Sequence, residues 1–358
     1  MDGVRCMLMR GGTSKGAFFV AGDLPEDPAL RDDLILRIVG SPDPRQIDGV
    51  GGAHPLTTKV AVVDRCDDPR ADVSYLFLQP SVDQALVSDA QNCGNMLAGV
   101  GPFAVERGLV KVDGDRAVVR ILMQNTDSVA VAGFRLADGM PVYEGSFAVS
   151  GVPGTASPIR LDFEDVAGSS CGALFPTGNQ LDDVGGVACT LVDNGMPVVV
   201  IDAASLGIDG GEAPVELEAD TGLRSTLERI RLAAGPMMNL GDVSESTVPK
   251  LTIVSPPADG GTLRTRTFIP HRCHEAIGVL GALTVAVAAR VPGTTAHDIV
   301  SGVTASDEDD MVVLEHPTGR FETAVTVEIR DGQVTVERAG LVRTARKLMD
   351  GTVFARGY

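Results

Sequence analysis

Asn92-Cys93-Gly94-Asn95-Met96-Leu97-Ala98-Gly99-Val100-Gly101 can be laid on Arg272-Cys273-His274-Glu275-Ala276-Ile277-Gly278-Val279-Leu280-Gly281 so that the cysteine, the final glycine and a series of small or apolar positions coincide. The two cysteines lie 180 residues apart, about half of the 358-residue chain, the offset that duplication of one ancestral domain produces. What surrounds them is alike too. An apolar strand pattern precedes each (73–78 and 251–254) and a second follows (118–123 and 311–314). Each downstream pattern runs into a polar turn, Gln124-Asn125-Thr126-Asp127 or His316-Pro317-Thr318-Gly319, and then into another alternating segment. Two identities are weak evidence, so the order of elements carries the inference.

Most remaining segments also read as strands, including a hairpin of 187–192 with 197–201 about the two-residue turn Asn194-Gly195. The sheet is therefore expected to be mostly antiparallel. Each half holds one helical pattern that is apolar nearly all round, 96–105, interrupted by Pro102, and 277–289. Such a helix must be covered on every side, which a sheet curled around it achieves. The expected fold is α/β, with two pseudo-symmetric domains, each a curled sheet around a central helix. Their helix N-termini, carrying Cys93 and Cys273, would face a cleft between the halves and attract anions through unsatisfied N–H groups and the dipole end.

Composition narrows the function. At 358 residues the chain suits two domains, and 44% hydrophobic with 22% charged residues is ordinary for a folded protein. The 30 basic and 48 acidic residues leave a net charge of −18, which repels phosphate backbones and acidic membrane surfaces. With no Trp and only 4% aromatics there is little to stack bases, so neither nucleic acid nor membrane is an expected partner. The six cysteines lack CxxC pairing and the N-terminus lacks the apolar core of a secretory signal, which points to free thiols in the cytoplasm. The apolar stretch 276–289 is short for a bilayer and contains Gly278 and Gly281, so it reads as buried.

Few residues stand out as reactive. Cys93 follows Asn92, a candidate N-cap, and precedes Gly94, which permits close backbone approach; a thiol at a helix start is poised to ionise, though a lone cysteine is also commonly a core residue. Lys59 follows the Gly-rich stretch 51–58 and begins an apolar run. Turned inward it would lose solvation and serve as a neutral base; turned outward it merely starts a strand. Met9-Arg10-Gly11-Gly12-Thr13-Ser14-Lys15-Gly16 offers hydroxyls and N–H groups suited to a carboxylate, or is a plain tight turn. Leu174-Phe175-Pro176-Thr177-Gly178-Asn179 is a loop of similar character in the second half. No P-loop, GxGxxG, GxSxG or HExxH pattern occurs, so no nucleotide cofactor, metal or serine-hydrolase chemistry is expected.

With Met9–Gly16, Lys59 and Gln91-Asn92-Cys93-Gly94-Asn95 taken together, the chain resembles the family of 2-methylaconitate isomerases and 4-oxalomesaconate tautomerases. The likeness extends through Gly40-Ser41-Pro42-Asp43, Gln46-Ile47-Asp48-Gly49, Asp193-Asn194-Gly195-Met196-Pro197, Met238-Asn239-Leu240-Gly241-Asp242 and Leu341-Val342-Arg343-Thr344-Ala345-Arg346. It implies a diaminopimelate-epimerase-like fold, with 1–160 plus 340–358 as the first repeat domain and 161–339 as the second. It implies catalytic roles for Lys59 and Cys93, and substrate contacts from Arg10, Gly11, Gly12, Thr13, Ser14, Asn92, Gly94, Asn95 and Cys273. Because His274 and Glu275 follow Cys273 where the epimerases have a Gly-rich turn, a symmetric two-thiol mechanism does not carry over, and Cys273 reads equally as a relic of duplication.

The activity so implied is a cofactor-independent proton shift on an unsaturated tricarboxylic oxo-acid, nearest to the tautomerases of gallate breakdown. An aconitate-type isomerase and a non-catalytic tricarboxylate binder are the alternatives. The expected partner is that small molecule, and a homodimer is the assembly considered.

Overall fold

The computed structural model describes residues 3–89, 92–164, 166–301 and 310–357. The chain divides into two compact units, Met1–Glu164 with Val342–Tyr358, and Asp165–Leu341.

The first unit contains β1 (Val4–Gly11), β2 (Ser14–Val20), α1 (Pro28–Val39), β3 (Lys59–Arg65), β4 (Val73–Pro80), β5 (Val87–Ser88), α2 (Gly94–Glu106), β6 (Arg116–Met123), β7 (Ser128–Ala137), β8 (Met140–Pro141) and β9 (Pro158–Phe163). The second contains β10 (Asp182–Asp183), β11 (Ala188–Asp193), β12 (Pro197–Asp202), α3 (Pro214–Ala219), α4 (Thr221–Met237), β13 (Lys250–Ser255), β14 (Leu263–Phe268), α5 (Val279–Arg290), α6 (Thr295–Val300), β15 (Met311–His316) and β16 (Gly319–Arg330). The long β17 (Gln333–Val353) belongs to the second unit in its first part and to the first unit in its last.

In the first unit β1/β2 are antiparallel, β2/β3 parallel, β3/β4 antiparallel, β4/β6 parallel, and β6/β7 and β7/β9 antiparallel. The second unit repeats that series in β11/β12, β12/β13, β13/β14, β14/β15, β15/β16 and β16/β17. The end of β17 pairs antiparallel with β1, Val4 opposite Val353 and Gly11 opposite Ala345. Helices interrupt both series at the same places: α1 matches α3 and α4, and α2 matches α5 and α6. The structural counterpart of β4 is thus β14, a strand absent from the sequence expectation because Leu-Arg-Thr-Arg-Thr-Phe has few apolar residues to mark it.

Each unit wraps its sheet around one apolar helix. Every residue from Met96 to Val105 of α2 is buried, and so is every residue from Gly281 to Ala289 of α5. Pro102 does not break α2; it sits inside a continuous helix, where its missing N–H and its ring are tolerated under tight packing. The glycines set how near the helix comes: a Cβ on Gly99 would lie 2.7 Å from Phe18 Cζ, and one on Gly101 2.7 Å from Phe134 Cε1. Phe18 and Phe103 pack with ring centroids 5.6 Å apart.

The outer sheet faces carry amphipathic helices. Asp27 caps α1 by accepting from Ala29 N and Leu30 N at 2.9 and 3.0 Å, Pro28 fits its first turn, and Gly40 ends it at φ 86°. Ile35, Ile38 and Val39 of α1 pack with Cys6, Phe19, Val60 and Leu78. In the second unit α4 does the same with Leu223, Leu227, Ile230 and Ala234 against Leu191, Val199 and Ile253. Among the described residues no helix is long and apolar enough to cross a membrane.

The loop between β11 and β12 is longer than the two-residue turn expected. Asp193 pairs with Pro197, which leaves Asn194, Gly195 and Met196 in the loop, with Gly195 at φ 88°. Thr284 of α5 holds it, accepting from Asn194 N at 3.2 Å and donating to Met196 O at 3.0 Å. In the 174–179 loop Thr177 Oγ1 and Asn179 Nδ2 donate to Asp182 of β10 at 2.7 and 2.9 Å.

Candidate active site

Strand alternation assembles the site in the first unit. Met7, Met9 and Gly11 of β1 stand opposite Phe18, Gly16 and Ser14 of β2, Gly16 stands beside Lys59 of β3, and Ala61 and Val63 stand opposite Phe77 and Tyr75 of β4. All of these face α2. The face is apolar where the body of α2 lies across it. At the end where α2 begins it turns polar, with Ser14, Lys59 and Gln79.

β1 and β2 meet in a two-residue turn, Gly12-Thr13, with Gly12 at φ 49°. Its tip rests on the first turn of α2. A Cβ on Gly11 would lie 2.2 Å from Asn95 O, and Asn95 Nδ2 donates to Thr13 Oγ1 at 3.0 Å. The Ser14 side chain is 2% exposed, and its Oγ has no hydrogen-bond partner among the described residues.

Arg10 has protein partners of its own. One residue before Gly11, it points to the opposite face of the sheet, where its Nη1 donates to Gly12 O and Thr344 O at 3.0 Å and to Thr344 Oγ1 at 2.9 Å. It braces the hairpin tip.

Cys93, not Asn92, is the N-cap of α2, with extended backbone and no side-chain cap bond. Its carbonyl accepts from Leu97 N at 2.9 Å, so the N–H groups before Leu97 have no acceptor within the helix. Asn92 is drawn aside: its Nδ2 donates to Thr126 Oγ1 at 2.6 Å, and its Oδ1 is buried without a partner among the described residues. Gln91 lies outside the described residues.

Lys59 points inward and is 7% exposed. Its Nζ donates to Gln79 Oε1 at 2.5 Å and lies 5.1 Å from the Phe77 ring centroid. Burial pulls its pKa below the ordinary 10.5, and the charge of a Cys93 thiolate acts in the opposite sense, so the two groups share one electrostatic neighbourhood. Tyr75 is fully buried, its hydroxyl 3.5 Å from Cys93 O; burial and then the Cys93 charge hold it well above the usual phenol range. Sequence reasoning missed Tyr75, Phe77 and Gln79. Their spacing of two along an apolar strand was the available signal, but only the strand register brings Gln79 to Lys59.

Cys273 departs from the expectation most. It lies between β14 and α5, well before the N-cap Gly278, bridged to Phe268 and buried in the second unit's core. Its N–H donates to Glu218 Oε1 at 3.0 Å, and burial pushes its thiol up to about 11, with Arg266 opposing. The helix starts late because His274 Nδ1 accepts from Ala276 N at 2.8 Å and Gly278 is extended (φ −70°, ψ 146°). A local side-chain bond has displaced the helical turn.

A buried amine within the electrostatic reach of a thiol at an uncapped helix start, inside a sheet wrapped around that helix, is an arrangement that acid/base proton transfer can use. The chain belongs to the PrpF protein family, which matches residues 1–356. It is 55% identical to a (4E)-oxalomesaconate Delta-isomerase of Novosphingobium sp. (strain KA1), over 99% of this chain and 98% of that protein. It is 53% identical to a 4-oxalomesaconate tautomerase of Pseudomonas putida, over 98% of this chain and 95% of that protein. A crystal structure of a methylitaconate-delta-isomerase matches with a TM-score of 0.86 at 34% identity, covering 99% of this chain and 96% of that one.

Proposed function

We propose that this chain is an isomerase that shifts a proton on 4-oxalomesaconate or a closely similar unsaturated tricarboxylic oxo-acid, with Lys59 as base, Cys93 as acid and no cofactor. The observation that carries the reading is the buried Lys59 amine on the sheet face that α2 covers, at the end where that helix begins with Cys93. The names of the relatives supply the substrate class.

A carbon-bound proton next to an oxo group and a conjugated alkene is acidic enough for an amine to remove. The neutral Lys59 amine takes that proton, and the C–H electron pair enters a dienolate spread over the oxo oxygen and the alkene. The N–H groups of Gly94 and Asn95, for which the helix itself supplies no acceptor, would with the hydroxyls of Thr13 and Ser14 hold a carboxylate or the charge that develops. The Cys93 thiol then gives its proton to oxygen, forming the enol, or to the far carbon, moving the double bond. The thiolate regains a proton from the Lys59 ammonium, directly or through solvent, which restores both groups. The two outcomes differ only in where the proton returns.

The test is an absorbance assay with a panel of unsaturated tricarboxylates, whose isomers differ in conjugation. The wild type should turn over 4-oxalomesaconate faster than aconitate or 2-methylaconitate, and Lys59→Met should not turn it over. Saturable binding of the panel with no turnover would make the protein a tricarboxylate binder instead.

A further inference from the structure

Gln79 stands at the end of β4, one step past the Val60–Leu78 pair and so directly across from Lys59. Its Nε2 donates to Thr58 O at 2.9 Å, to Pro80 O at 3.2 Å and to Pro55 O at 3.3 Å, while its Oε1 accepts from Lys59 Nζ at 2.5 Å. The opposite amide orientation would set an NH₂ against the lysine N–H groups and an oxygen against three carbonyls, so the chemistry fixes the orientation. The strand end is itself held. Asn125 accepts from Phe77 N at 2.9 Å and donates to Phe77 O at 3.0 Å, and β5 pairs Ser88 with Gln79.

We infer that Gln79 is a positioning residue for Lys59: with its amide nitrogen held by backbone carbonyls, its Oε1 binds one Nζ–H and so sets the direction in which the amine's lone pair meets the carbon acid. This rests on the reading of Lys59 as base. When Lys59 takes the proton, the same oxygen is already in place to accept from the ammonium. Among the described residues the titratable group that acts on Lys59 is Cys93 at the start of α2, and Tyr75 of β4 faces Cys93 in turn; β2 brings Gly16. An uncharged acceptor at Gln79 steadies the ammonium without pinning it protonated, as a carboxylate would.

The experiment uses Gln79→Met and Gln79→Glu in the full chain, read by pH profiles of kcat/KM and, independently of turnover, by NMR titration of 13C-labelled lysine ε-carbons. The Lys59 signal is assigned by its loss in Lys59→Met. Gln79→Met removes the acceptor: kcat should fall about 10-fold or more with KM within about 3-fold, and the Lys59 midpoint should move to lower pH. Gln79→Glu should move the midpoint, and the rising limb of the profile, to higher pH. Opposite displacements are not what a merely structural role yields. A Gln79→Met enzyme with wild-type kcat, midpoints that stay put, or midpoints that move the same way would overturn the inference. If one variant does not fold, the direction of the midpoint in the other decides. Loss of fold in both would overturn it by making Gln79 structural. Should the wild type turn over no tricarboxylate, the proposed function fails while the NMR titration still decides whether Gln79 governs the Lys59 proton.

Discussion

Gly12 and Asn95 meet so closely that a Cβ on Gly12 would lie 2.1 Å from Asn95 Oδ1. The hairpin tip and the first turn of α2 are therefore fitted to one another, at a residue whose φ of 49° already disfavours a side chain. Gly12→Ala must push the tip off the helix or turn Asn95 away from Thr13. Steady-state kinetics should show KM raised about 10-fold or more with a smaller change in kcat, as loss of substrate holding requires. An unchanged KM would remove the tip from the binding site.

Gly16 serves the same end of the sheet from inside. A Cβ there would lie 2.3 Å from Lys59 O and 2.5 Å from Met96 Cε. The methionine can yield, but the backbone oxygen cannot without shifting β3. Gly16→Ala should cost about 1–3 kcal/mol by urea unfolding and should also lower kcat, because Lys59 moves with its strand. Full activity with reduced stability would separate Lys59 from that packing.

Cys93→Ser keeps the size of the side chain but replaces an ionisable thiol by a hydroxyl. Loss of an acid group should slow kcat by about 10²-fold or more, with KM within a few-fold. A variant with raised KM and wild-type kcat would make Cys93 a binding residue.

The depressed pKa of Lys59 has a sign that can be followed in stability. Between its folded pKa and the ordinary 10.5, the unfolded chain holds a proton on Lys59 that the folded chain lacks. Unfolding there takes up a proton, so wild-type stability should rise with pH through that window relative to Lys59→Met, and the difference should level off above 10.5. Urea unfolding of both proteins at several pH values gives the comparison. A difference that narrows in the wild type's disfavour as pH rises would mean that Lys59 is not depressed.

An all-round apolar helix announces a sheet on every side of it, and so α2 and α5 were legible along with β4, β6 and β15, though not β14. A cysteine ahead of such a helix was legible as a helix start at Cys93 but misleading at Cys273, where one His274–Ala276 bond moves the helix start to Val279. The face that Arg10 takes was not legible, because a tight turn gives no hint of which face its neighbours take until the Gly11–Ser14 pair is known. The link between Gln79 and Lys59 was hidden for a related reason: the two lie 20 residues apart in sequence, and only the β3/β4 register joins them.

Transfer of a carbon-bound proton to Lys59 is tested most directly by running the reaction in D₂O and following deuterium in the substrate and product by NMR. Wild type should place deuterium at the carbon from which Lys59 removes a proton, as its ammonium exchanges with solvent, and Lys59→Met, folded as judged by circular dichroism, should lose that exchange by about 10²-fold or more. Exchange by Lys59→Met at the wild-type rate would contradict the account and assign the base to Cys93 or another group.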